Sequence, residues 1–346
     1  MSKIIKQWLI VIFLLLTVSL LAWFKLTQPR ILVLHSYDPD YAWARDIDIG
    51  LKRVFDGNLR YKVQWHYMDT KKHPDKDFKE RAGKLALHEI ETYRPDLIIA
   101  VDDDAQKYAV KNYANDPRIS IVFAGINGPD VKPYGYDKAN NVTGIYERKP
   151  LNSLRSALSE LRYKNGRPVG KRIAFIGDRS DSVKEDSKEI ESMDWSPFVR
   201  VDMKMVGTFD EWKSAVNEAS SKADVIILAN FQNIAREPRG KVFVPPPEVM
   251  EWTETNSKIP VIGMGGYMVE DGGMLAIGAS GFEQGDVIAH MAIRILDKGV
   301  RARDIPQVMP RQYLVYMRQA GMEKRGLTMP DIYEAFSRAS NNYYAE

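Results

Sequence analysis

From residue 30 onward, short apolar runs alternate with amphipathic stretches, and this alternation constrains the fold more than any other feature of the chain. Runs at 31–34, 63–67, 97–101 and 119–123 have the length of strands. Strand and helix alternating in short units is the pattern of a parallel sheet covered on both faces. Between the second and third run, Phe78, Ala82, Leu85, Ala86, Ile90 and Tyr93 recur at steps of three and four and predict a helix closed by Arg94-Pro95-Asp96. After a polar stretch at 127–141 a second series begins. Pro150 opens a helix with Leu151, Leu154, Leu158 and Leu161 on one face. Strands are predicted at 172–176, 200–206, 225–228, 260–262 and 274–277, and a helix over 287–296 closed by Gly299. The expectation is an α/β protein with two doubly wound parallel-sheet lobes. Lobe 1 takes residues 29–145 and lobe 2 takes 146–280, with 281–346 crossing a hinge and completing both. No low-complexity linker separates the lobes.

Residues 8–24 are apolar except for Thr17 and Ser19, and Lys3 and Lys6 precede them. That length suits a membrane-spanning helix, and the preceding lysines favour a cytoplasmic N-terminus with an exported body. A cut after Ala22 would place Leu20 where a signal peptidase needs a small residue, so residues 1–28 read as a signal anchor, with a cleaved signal peptide as the alternative. The body is then extracytoplasmic and tethered by residues 8–24. Forty-nine basic residues against 46 acidic ones, without basic runs, argue against a nucleic-acid partner. The absence of cysteine excludes disulfides, thiolate catalysis and a lipidated N-terminal cysteine.

In open parallel sheets ligands sit beyond the carboxyl ends of the strands. Those ends carry Ser36-Tyr37, Asp102-Asp103-Asp104, Asn127, Asp178-Arg179-Ser180, Asn230 and Gly263-Met264-Gly265-Gly266-Tyr267. Ser36 and Ser180 suit either helix capping or ligand contact. The three aspartates suit either a helix N-terminus or a ligand. Asp178 suits either a surface pair with Arg179 or a ligand. Tyr37, Tyr41 and Trp43 are spaced too irregularly for a core stripe, so an aromatic wall to a cleft is expected. The five histidines lack metal-ligand spacing, and neither a Gly-x-Ser-x-Gly elbow nor a phosphate-binding glycine loop is present. No metal and no cofactor is expected.

The segments Ile31-Leu-Val-Leu-His-Ser-Tyr, Pro95-Asp-Leu-Ile-Ile-Ala-Val-Asp-Asp-Asp-Ala-Gln and Val122-Phe-Ala-Gly-Ile-Asn-Gly resemble the first lobe of the ABC-transporter substrate-binding family that includes tryptophan- and tyrosine-type binders. Asn141-Val-Thr-Gly-Ile-Tyr resembles its strand entering the hinge. Gly273-Met-Leu-Ala-Ile-Gly-Ala, Gly285, Arg294-Ile-Leu-Asp-Lys-Gly, Ile305-Pro306 and Gly326-Leu-Thr-Met-Pro follow in the family's order. The resemblance implies a type I periplasmic-binding fold that closes on a small solute. It implies ligand contacts at Ser36, Asp103 or Asp104, Asn127, Asp178, Ser180, Asn230 and Tyr267. Asp103 and Asp104 stand where the family usually has a small hydroxyl residue, and no Asp-aromatic pair occurs near Gly281-Phe282. The extra acids favour an amino acid or other amine-bearing solute. The expected partner is an ABC permease or, alternatively, a membrane signalling protein. An enzyme using strand-end acids is the third reading.

Overall fold

The computed structural model describes residues 3–240 and 242–346. Helix α1 (Lys3–Thr27) stands apart, with Trp8 65% and Leu26 83% exposed. By length and composition it can cross a membrane: Ile4–Thr27 is apolar over 24 residues, or about 36 Å of helix.

Lobe 1 is a five-stranded sheet of β1 (Arg30–His35), β2 (Lys62–Tyr67), β3 (Leu97–Val101), β4 (Ser120–Ile126) and β5 (Val142–Tyr146). Its order is β2-β1-β3-β4-β5 and every pair is parallel. Side chains alternate between faces along each strand. Leu32, Leu34, Ile98, Ala100 and Phe123 pack beneath α3 (Lys76–Tyr93) and α4 (Asp102–Tyr108). Ile31, Val33, Leu97, Ile99 and Val122 fill the other face, against α2 (Ala42–Phe55). Both faces of β1, β3 and β4 are therefore buried, and this is why those strands read as apolar runs, whereas the edge strand β2 is only half-buried.

Lobe 2 begins with α5 (Leu151–Glu160) and the short strand β6 (Arg162–Tyr163). Then come β7 (Arg172–Asp178), α6 (Asp181–Ser192), β8 (Val199–Val206), α7 (Phe209–Lys222), β9 (Val225–Leu228) and α8 (Pro246–Asn256). The chain continues with β10 (Val261–Gly263), α9 (Tyr267–Glu270), β11 (Leu275–Ala279) and α10 (Gly281–Lys298). It ends with β12 (Tyr313–Arg318), α11 (Gln319–Lys324), β13 (Leu327–Thr328), α12 (Asp331–Ala339) and β14 (Tyr343–Tyr344). The main sheet runs β14-β12-β11-β10-β9-β7-β8; β12 lies antiparallel to β11, and the strands from β11 to β8 are parallel.

Helix α10 leaves lobe 2 and packs on α2 of lobe 1. The approach needs glycine on both sides: a Cβ on Gly285 would lie 2.1 Å from the Ile47 carbonyl oxygen, and one on Gly50 would lie 2.4 Å from that of Phe282. Those glycines, with Glu283 and Gln284, break the apolar periodicity, so α10 starts six residues before the helix expected at 287. Ser280 caps it by accepting from the Glu283 amide at 3.1 Å. The chain stays with lobe 1 as far as Val308, whose amide donates to Gly144 O at 3.0 Å, and then returns to β12. The segments at 146–151, 279–281 and 308–313 thus join the lobes. Buried polar groups hold this region: Gln284 donates to Tyr146 O at 2.9 Å, and Glu283 accepts from the amides of Arg311 and Gln312 at 2.9–3.1 Å.

Candidate ligand cleft

The carboxyl ends of both sheets meet where the lobes face each other, and the space between them falls into two compartments. The inner cavity retains about 40 Å³, room for a few water molecules at most. Lobe 1 and the hinge segment contribute Tyr37, Tyr41, Trp43, Asp46, Lys71, Asn127, Glu147 and Lys149; lobe 2 contributes Ser182, Asn230, Gly265, Gly266, Tyr267 and Tyr316. Any larger solute requires the lobes to part. The outer groove is larger, about 850 Å³, and is lined by Thr70, Lys79, Asp103, Asp104, Lys107, Tyr134, Ser180 and Asp181 among others.

Aromatic rings form the inner walls. Tyr41, just ahead of α2, faces Tyr267, the first residue of α9, across the lobes at 6.2 Å between ring centroids and 27° between planes. Tyr37 meets Tyr41 edge-on at 5.4 Å. The Tyr267 hydroxyl donates to Asn230 Oδ1, and Asn230 Nδ2 donates to Ser182 Oγ at 2.8 Å. Lys71 enters from the loop after β2. Thr70 fastens that loop by donating both its amide and its hydroxyl to Ser36 O, at 2.9 and 2.8 Å. The Lys71 ammonium lies 5.0 Å from the Tyr37 ring centroid and 5.3 Å from that of Tyr41, and the residue is only 9% exposed. Burial pulls its pKa below the ordinary lysine value, against the raising effect of Asp178 and Asp102.

A second buried lysine is paired. Lys149 donates to Glu147 Oε1. Burial alone would lower its pKa, but Glu147 and Asp186 outweigh burial and hold it above the lysine range. Asp186 is raised to about 7 by burial, with Lys149 pulling the other way. Asp46, at the cavity edge, is raised to about 6 by burial, opposed by Arg45 and reinforced by Glu270.

Of the residues singled out from the sequence, Tyr37, Asn127, Asn230 and Tyr267 line the inner cavity, and Tyr37, like Lys71, borders the outer groove as well. Asp103, Asp104 and Ser180 line the outer groove, where their polar atoms already have partners. Asp103 accepts from the Tyr134 hydroxyl at 2.6 Å and from Asn127 Nδ2 at 2.9 Å. Asp104 pairs with Lys79 at 2.8 Å. Ser180 caps α6. Ser36 and Asp178 line neither compartment. The Ser36 hydroxyl donates to Val101 O at 2.7 Å and accepts from the Ala105 amide at 2.8 Å. Asp178 accepts from the amides of Ser180 and Asn233, each at 3.0 Å, and so shapes a turn. The sequence reading missed Lys71, Glu147 and Lys149. Lys71 lies four residues past an edge strand in a charged stretch that reads as solvated; Glu147 and Lys149 directly follow β5, a strand that apolar pattern alone did not mark.

Comparison with known proteins agrees with this geometry. The sequence profile described as ABC transporter substrate binding protein matches residues 59–337. No curated protein is similar enough in sequence to match the chain. Among solved structures, an ABC domain in complex with L-Trp from Streptococcus pneumonia is 19% identical, with a TM-score of 0.65 over 90% of this chain and 98% of that one. A conserved domain protein from Vibrio cholerae is 14% identical, with a TM-score of 0.64 over 90% and 98%. The ligand-free, open structure of a substrate-binding protein with adhesive properties from Clostridium difficile is 17% identical, with a TM-score of 0.60 over 91% and 98%. At these identities the likeness shows the fold, the type I periplasmic-binding architecture. The profile match spans most of the sequence, and the chain belongs to the ABC transporter substrate-binding protein family.

Proposed function

We propose that this protein captures a small polar solute between its lobes outside the cytoplasm and presents the closed, loaded form to an ABC permease, with α1 as its membrane tether. One observation carries the reading above the others. The inner cavity is built from both lobes at once, with Tyr41 and Tyr267 facing each other at 6.2 Å. A solute there gains its full set of contacts only when the lobes are closed, and that differential affinity is what couples binding to closure. Asn127, Asn230, Tyr37 and Tyr267 supply polar groups and flat walls of the kind a small polar ligand needs. The process is binding without chemistry, so bound solute is released unchanged.

The test is a thermal-shift screen of the full-length protein in detergent against amino acids, amines, carboxylates, sugars and nucleosides. A ligand at a hundred times its dissociation constant adds about 2.7 kcal/mol of stability. A selective rise in melting temperature, with the solute recovered unaltered by mass spectrometry, is the expected result. Turnover of the solute, or silence across every class, would overturn the reading. A signalling role is the second reading, favoured by the apolar helix α1, which would keep the protein at the membrane beside a receptor. Deleting the cognate permease decides between them: uptake fails for a transport component, and the transcriptional response survives for a sensor.

A further inference from the structure

The inner cavity holds a lysine without an ion-pair partner among the described residues, although Asp46, Glu147 and Glu270 also line it. Lys71 is nine-tenths buried, its ammonium lies over the rings of Tyr37 and Tyr41, and it donates to no acceptor and pairs with no acid among the described residues. The acids nearest in charge make their contacts elsewhere, with one buried oxygen, Asp102 Oδ2, left without a hydrogen-bond partner on a carboxyl that burial holds well above the usual carboxylate range. Asp178 binds two backbone amides, Asp102 accepts from Trp43 Nε1 at 3.0 Å, and Glu147 is bound to Lys149. Glu270 is held by Arg45 at 2.7 Å. Contact with two aromatic rings offsets only part of what burying an ammonium costs. The hydroxyls of Tyr37 and Tyr41 also have no hydrogen-bond partner among the described residues, and both residues line the same cavity. Three donors without a hydrogen-bond partner among the described residues therefore belong to residues that line one small space, and Tyr37 and Lys71 also border the outer groove.

We propose that the cleft selects a monoanionic solute, a carboxylate, which pairs with the Lys71 ammonium and accepts from the adjacent tyrosine hydroxyls. The inference rests on the solute-binding reading and names the chemical class. One charge, not two, follows from the lysines of the lining: Lys149 and Glu147 neutralise each other, the other lining acids Glu270 and Asp46 face Arg45 at 2.7 and 3.9 Å, and Lys71 is left as the lysine without an ion-pair partner among the described residues. Asp103 and Asp104, the acids that had suggested an amine, are already partnered in the outer groove.

The experiment is isothermal titration of the full-length protein in detergent with two matched sets: 4-hydroxyphenylacetate, its amide and tyramine, and propionate, propionamide and propylamine. At least one carboxylate is expected to bind, its amide about tenfold or more weakly, and the amine not at all. Lys71→Met should weaken the carboxylate about a hundredfold, the scale of a hydrogen-bonded charge. The same change should leave the melting temperature of the ligand-free protein unaltered or raise it, because a buried unpaired charge is removed. Lys71→Arg, which keeps the charge, should retain the preference for carboxylate over amide. An amide or amine binding as tightly as its carboxylate would overturn the proposal. So would Lys71→Met retaining carboxylate affinity, or losing ligand-free stability by several degrees. A sugar or nucleoside binding while every carboxylate stays silent would remove the carboxylate and leave the solute-binding reading standing; silence of all classes would remove both.

Discussion

The inner cavity and the outer groove are lined by the same types of residue, lysines, aspartates and tyrosines, yet they differ in how those residues are satisfied. In the groove, Lys79 meets Asp104 at 2.8 Å and Asp103 is bound by Tyr134 and Asn127. In the cavity, Lys71 and two tyrosine hydroxyls have no acceptor among the described residues. Lys71 and Tyr37 border both compartments, and the groove's Lys107 and Lys111 also have no hydrogen-bond or ion-pair partner among the described residues but are exposed to water, so what sets Lys71 apart is a free valence that is buried. Volume is a poor guide here, since the groove is some twenty times larger than the cavity.

The sharpest way to break this comparison is to make the same change on both sides. Lys71→Met in the cavity should cost about a hundredfold in ligand affinity, whereas Lys79→Met in the groove should change affinity less than about threefold. Its effect should fall on stability instead, about 1–3 kcal/mol by urea titration, because Asp104 loses its partner in a part-buried setting. Equal effects on affinity at the two lysines would abolish the distinction between compartments.

Next in size is the cross-lobe wall. Tyr267→Ala removes the ring facing Tyr41 and the donor to Asn230, and should weaken binding about tenfold. Tyr267→Phe keeps the ring and should weaken it only a few-fold by the same titration. If the phenylalanine variant were as weak as the alanine variant, the hydroxyl rather than the wall would be the recognition element.

Most of the architecture was legible because doubly covered strands write themselves as apolar runs such as Leu97–Val101. Strand β12 escaped: its sequence, Tyr-Leu-Val-Tyr-Met-Arg, is half-covered and antiparallel, and α12 and β14 close over it from far along the chain. The strand-end rule pointed to Tyr37, Asn127, Asn230 and Tyr267 but could not separate cavity from groove. That separation depends on which acceptor each side chain finds in the folded chain, as with Ser36, whose hydroxyl is used up by Val101 and Ala105. Lys71 was not legible, since the rings of Tyr37 and Tyr41 and the opposing lobe, rather than its neighbours Lys72 and His73, bury it.

Titration offers a smaller effect that again separates inside from outside. Asp46 is raised to about 6, and Asp186 to about 7, chiefly by burial. A folded carboxyl with a raised pKa holds its proton where the unfolded chain has released it. Its stabilising contribution is therefore full below about pH 4 and is lost as pH climbs through the folded value. For Asp46, which faces Arg45, Glu270 and Tyr316, the loss falls between about pH 4 and 6; for Asp186, between about pH 4 and 7. The melting temperature should fall by a few degrees from pH 5 to 7. Asp46→Asn and Asp186→Asn should each flatten part of that slope, and an unchanged slope in both would show that these carboxyls are solvated.

The smallest expected effect lies at the rim of the cavity, where Arg45 of α2 reaches Glu270 of α9 across the lobes at 2.7 Å. With side chains 45% and 26% exposed, the pair is screened and contributes about 0–1 kcal/mol. If closure is driven by solute filling the cavity, Arg45→Gln should shift the dissociation constant less than about fivefold. The radius of gyration of the loaded protein in solution scattering should not change. A large loss of affinity would make this rim pair a latch and transfer part of the closing energy from the cavity to its edge. The free Lys71 argues against that outcome, because an ammonium left without an anion inside gives the closed form a larger gain on loading than a solvated ion pair can add at the rim.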